Sequence, residues 1–199
     1  MGRVVAVGAA IVVDVQALLT SLQGSALAAR IRDSLLIFPL LEAAHVIGLA
    51  LVVGTIATID LRLLGLASTN RSFQRMSSDI LKWTWAAFAL TALTGALMFT
   101  TNATVYYHNV YFRSKMLLLV LAGVNMAVFE LTAGRTIHRW DRNPSAPAIG
   151  KVVATLSLAI WIAVICAGRI IGFTTTRAAE PAPADVNLED LLGLPPSAK

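Results

Sequence analysis

Glu42 and His45 stand three residues apart in a stretch that is otherwise apolar. On a helix that spacing puts a carboxylate and an imidazole on one face. Leu49 and Val52 continue the face, with Gly48 beside them. Asn125, Glu130 and Arg169 interrupt other apolar stretches. Ionisable groups at membrane depth are costly, so they usually turn inward and pair or carry function. A Glu42–Arg169 ion pair is the expected account of those two charges.

Three chemistries are open to His45. It can hydrogen-bond across helices, with Asn125 as partner: counted from the helix starts, His45 lies about 16 Å down and Asn125 about 15 Å. It can be an axial ligand of haem b, with Gly48 leaving room for a flat macrocycle. Met98, Met126 or the His45 of a second copy would then complete the iron. Lastly, Glu42-x-x-His45 can be half of a di-iron carboxylate site, which needs a second such motif and further carboxylates; only Glu130 remains to supply one. If any metal is bound, His45 is the ligand. Glu130, deeper in its helix, is expected to be a neutral acid held by a hydrogen bond, with a proton relay as the alternative.

The elements that must position these groups are four long apolar runs: Leu35–Ile59, Ile80–Phe99, Met116–Thr132 and Val152–Ile171. A transmembrane helix needs about 20 mostly apolar residues, and each run meets or nearly meets that length. The chain is 57% hydrophobic and 14% charged, where a soluble domain would carry about 25% charged residues. The +5 net charge lies in the gaps between runs, as membrane topogenic charges do. No basic helix with interleaved aromatics argues for nucleic acid. The single cysteine, Cys166, reads as a small hydrophobe. The expected fold is all-α: a polytopic four-transmembrane-helix bundle over 34–173, preceded by an interfacial segment over 1–33 and followed by a flexible, disordered tail over 174–199.

Asp60 and Arg62 close the first run and Arg113 and Lys115 open the third. All four read as interfacial charges that snorkel and set helix depth, although the last two could also meet an anionic headgroup or a quinone-like ligand. Arg62, Arg71, Arg75 and Lys82 follow the first run, and Arg135, Arg139, Arg142 and Lys151 precede the fourth. The positive-inside rule places those two loops in the cytoplasm. Both termini are then outside, periplasmic for a bacterial inner-membrane protein. Residues 25–33 read as a short surface helix. Val4–Val13 reads as an uncleaved interfacial segment, with a fifth span over 4–22 or a signal peptide as alternatives. Val186–Leu194 has a weak amphipathic pattern that suits docking.

Several stretches together resemble an uncharacterised family of small bacterial four-helix membrane proteins: Pro39-Leu-Leu-Glu-Ala-Ala-His45-Val-Ile-Gly48, Asp60-Leu-Arg62-Leu-Leu-Gly65, Phe112-Arg113-Ser-Lys115, Ala-Gly123-Val-Asn125 and Ser157-Leu-Ala-Ile-Trp161 running to Ala167-Gly-Arg169. The likeness covers roughly residues 25–173. It implies the fold and location and brings no activity. The family resemblance implies a His about where this chain has Glu130, a point at which this chain departs from the pattern; a looser similarity runs to copper-resistance D-like and b-type cytochrome membrane domains. The expected function is non-enzymatic: an accessory or structural subunit with a small polar intramembrane site, in a homo-oligomer or larger membrane complex. A haem-b-binding or quinone-interacting electron-transfer subunit is the second reading. A small transporter or copper-handling protein is the third.

Overall fold

The computed structural model describes residues 15–143 and 146–179, so Val4–Val13 and Val186–Leu194 lie outside it. Residues 15–23 form the described part of α1, followed by α2 (Ala26–Asp33), α3 (Ile37–Leu64), α4 (Phe73–Thr101), α5 (Ala103–His108), α6 (Val110–Leu131), α7 (Ile137–Trp140) and α8 (Ala148–Ala179). A single 3₁₀ turn, Gly134–Thr136, joins α6 to α7. Four stretches are long and apolar enough to cross a membrane: Ile37–Leu64, Phe73–Thr101, Val110–Trp140 and Ala148–Thr175. Within the apolar window of α3 only 11% of residues are buried inside the chain. The rest of that apolar surface needs lipid, since in water it would be a very large exposed patch.

Polar caps and a glycine set several of the helix ends. Ser34 Oγ accepts from the backbone N–H groups of Leu36 and Ile37 and opens α3. Gly65 closes it at φ 78°, a left-handed conformation that favours glycine, with its N–H on the Arg62 carbonyl. Asn109 Oδ1 accepts from Tyr111 and Phe112 and starts α6 nearly two turns before the apolar run. Ser25 caps α2, the short helix expected over residues 25–33.

The helices pack in the order α4–α3–α8–α6, with α3 against both α4 and α8 and α6 against α8. At one end, here the α5 end, Phe99 of α4 stacks on Phe112 of α6 at 5.3 Å. At the other, the α7 end, Phe73 meets Phe129 at 5.8 Å and Trp140 at 5.1 Å. The α3–α4 contact is intimate. A methyl at Gly48 would collide with Thr91 Oγ1 and stand 3.4 Å from the Ala87 carbonyl. Thr84 donates to Thr55 across the same seam at 2.9 Å. Small and hydroxyl residues of this kind let membrane helices approach closely where no hydrophobic force drives them together.

The α7 end is tied by two residues. Arg62 is fully buried and its guanidinium donates to the backbone carbonyls of Arg71, Asp141 and Asn143. Asp60 is also buried, at 5% exposure. These positions correct the expectation of two snorkelling interfacial charges. The loops fold over the end of α3, and their carbonyls take the guanidinium that water would otherwise solvate. Asp141 is the second tie. Its Oδ1 accepts from the Gln74 N–H and its Oδ2 from the Ser72 hydroxyl, both at 2.7 Å. One loop thus caps α4 from across the bundle.

Those two donors, the Gln74 amide first, hold the Asp141 carboxyl below its ordinary value. A lowered value in the folded state means that the unfolded chain binds the proton more readily. The stabilisation is complete above the ordinary aspartate range and is lost as pH falls through the lowered value. Unfolding temperature in micelles should therefore fall below about pH 4, and fall less in Asp141→Asn. At neutral pH that variant should already be less stable by about 1 kcal/mol, the usual value of a cap.

Candidate functional site: a polar cluster at the α5 end

His45 leaves α3 toward α4. Its Nδ1 lies 3.1 Å from Thr94 Oγ1. Thr94 spends its own hydroxyl proton on the carbonyls of Leu90 and Thr91. The hydroxyl oxygen therefore accepts, and Nδ1 carries the imidazole proton. Gly95 makes the space: a methyl there would stand 2.9 Å from Cε1 and 3.3 Å from Nδ1. Nε2 is the ring nitrogen farther from Gly95, at 4.0 Å, and it keeps a lone pair.

Lys115 enters from α6. Its Nζ lies 3.7 Å from where a methyl on Gly168 of α8 would be, so the ammonium rests against a bare stretch of helix backbone. The side chain is half-buried. No carboxylate among the described residues comes within 4.0 Å of it. Its charge is felt at His45, as is that of Glu42 one turn toward the α5 end. Phe99 and Phe112 stand one turn from Gly95 and Lys115 on their own helices, and with Tyr106 they form an aromatic layer toward the α5 end, ring centroids 5.3–6.2 Å apart. Burial, then the Glu42 carboxylate, push the Tyr106 phenol above its ordinary value, so it stays neutral. Four spans and the short α5 therefore contribute to one place: an ammonium and a phenol as donors, an imidazole nitrogen as acceptor, and an aromatic layer. Such a set suits an electron-rich oxygen, a carbonyl or a carboxylate, attached to an apolar body.

The structure brings together fewer of the expected residues than the sequence suggests. His45 bonds Thr94, not Asn125. Asn125 is buried in the α6–α8 contact and donates to the Val153 carbonyl at 3.1 Å. Glu42 and Arg169 form no ion pair. Glu42 is exposed, and the Arg169 guanidinium lies over the Phe173 ring at 4.7 Å. A cation on an aromatic face one turn along its own helix replaces the expected interhelical pair. Glu130 and Arg113 are exposed, Met126 is 40% exposed and Met98 is half-buried. The flat space that a haem would need beside Gly48 is filled by Thr91, and the space beside Gly95 is filled by the imidazole itself. No group of three or more His, Cys, Asp or Glu capable of holding a metal occurs among the described residues.

Thr94, Gly95, Tyr106 and Gly168 are members of the cluster that sequence reasoning missed. The signal was faint: Thr91, Thr94 and Gly95 lie on one face of α4 at the three-and-four spacing of a contact stripe. Residues 36–174 match the model of a family of unknown function, DUF6644. The chain belongs to that family. The DUF6644 match takes in α3, α4 and α6 whole, α8 as far as residue 174, and each residue of the cluster. No curated protein and no solved structure matches the chain.

Proposed function

We propose that this DUF6644 protein is a non-enzymatic accessory subunit of a bacterial inner membrane, with the α7 end in the cytoplasm and both termini periplasmic. Its α5-end cluster binds a carbonyl or carboxylate oxygen of a membrane-soluble ligand or a partner subunit. One observation carries the reading. Lys115 is a half-buried ammonium without a carboxylate partner among the described residues, near enough for its charge to act on His45 and one turn from the aromatic Phe112. A charge in that position leaves a site one anion or dipole short. The eight basic residues bordering the α3–α4 and α6–α8 connections support the sidedness.

Titration of the protein in lipid nanodiscs with decanoate and with a short-chain ubiquinone analogue tests the site. At least one should bind saturably. Lys115→Met should weaken it about tenfold or more, the worth of a charge-assisted hydrogen bond. Gly95→Ala should weaken it too, with Lys115 intact, by pushing the imidazole off Thr94. Equal binding by wild type and Lys115→Met would refute the assignment. So would a red purified protein whose Soret band vanishes in His45→Ala, since the imidazole would then belong to haem.

A further inference from the structure

At the opposite end of the bundle stands a carboxyl that nothing above employs. Asp60 Oδ2 is enclosed and takes no hydrogen bond among the described residues. Ser157 of α8 faces the carboxyl and is itself buried. One turn along α8 from Ser157, the Val153 carbonyl is already occupied by Asn125 of α6. No described cation forms an ion pair with Asp60. Arg62 directs its donors to loop carbonyls. The other charged side chains at this end are exposed, among them Asp79 and Lys82 of α4, Glu130 of α6 and Lys151 of α8, apart from Asp141, which is half-buried and bonded to Ser72 and Gln74.

An unpaired carboxylate sealed into a helix contact is strongly unfavourable, and such a group is neutralised in preference to staying ionised. A metal cation could neutralise it only with a full shell of oxygens, and the surroundings offer Ser157 and little else. A proton needs one acceptor. We propose that Asp60 is a membrane-embedded proton-binding site, carrying its proton at neutral pH and exchanging it with water on the α7 side. Asp60 sits four residues before the end of α3, about 6 Å from the loop by helix rise. Exchange therefore needs only a parting of α3 from α8 at that end. Proton loss leaves a charge between the two helices, so the state of this one group is coupled to their contact.

Infrared difference spectroscopy of the full chain in lipid nanodiscs tests this. Wild type minus Asp60→Asn at neutral pH should show the C=O stretch of a protonated carboxylic acid, shifting on exchange into heavy water. Ser157→Ala should move that band without removing it, and serves if Asp60→Asn fails to fold. Carboxylate bands in the difference spectrum at neutral pH would overturn the proposal. So would a protonated band that disappears on adding sodium or potassium at constant pH, because the site would then be a metal site. The outcome is independent of the Lys115 titrations, which probe the other end of the bundle.

Discussion

Replacing Arg62 with Met should cost the protein about 3–5 kcal/mol and loosen the α7 end before the rest. Three backbone carbonyls, those of Arg71, Asp141 and Asn143, accept from this one guanidinium. Met fills a similar volume but donates nothing. Each buried acceptor left unmatched costs about 1–3 kcal/mol, and partial access of water to the loops holds the total to the range given. Arg62→Lys should recover only a minority of the loss, because an ammonium cannot reproduce the planar fork. Loss of helical signal with added denaturing detergent measures the stability. Limited proteolysis locates the damage, with cleavage expected first between residues 65 and 72 or in the loop after α7. Unchanged stability would mean that the loops hold themselves.

Gly48→Leu should also destabilise the fold, by about 1–3 kcal/mol. The first added carbon would collide with Thr91 Oγ1. That hydroxyl cannot simply turn aside, because it donates to the Ala87 carbonyl at 2.8 Å. The backbone of α4 lies just behind it, so α3 and α4 must separate. Separation should break two further interhelical bonds, His45 to Thr94 and Thr84 to Thr55. Gly48→Leu should therefore lose ligand at the α5 end as well as stability. Gly54 provides the control on the same helix: a methyl there meets nothing within 4 Å. Gly54→Ala should be neutral or slightly stabilising, since alanine is the better helix former. If the two glycine variants behave alike, the close crossing of α3 and α4 does not hold in lipid.

Hydropathy alone made the four spans and their all-helical character legible, because lipid demands long apolar runs. It did not reveal their ends. Ser72 with Asp141, and Asn109, cap helices with polar atoms that a hydropathy count treats as loop. His45 was recognisable as a buried group, but its partner was not: threonine is common in membrane helices, and the depth arithmetic matched Asn125 equally well. Arg62 was misread for a physical reason. A charged residue near a span end has two solutions, water or folded-back backbone, and residue type cannot distinguish them. In the structure the α3–α4 loop turns tightly, with Gly65 and Ser68 left-handed, and covers Arg62.

The Arg62 clamp has a consequence for biogenesis. Its acceptors lie on both sides of two whole membrane crossings: Arg71 precedes α4, whereas Asp141 and Asn143 follow α6. A nascent chain that has inserted only its first hairpin holds a guanidinium with one of those three carbonyls in place. The latch can shut only once the ribosome has passed Asn143, and α8 must then arrive to bring Ser157 against Asp60. Closure of this four-helix bundle therefore waits on α8.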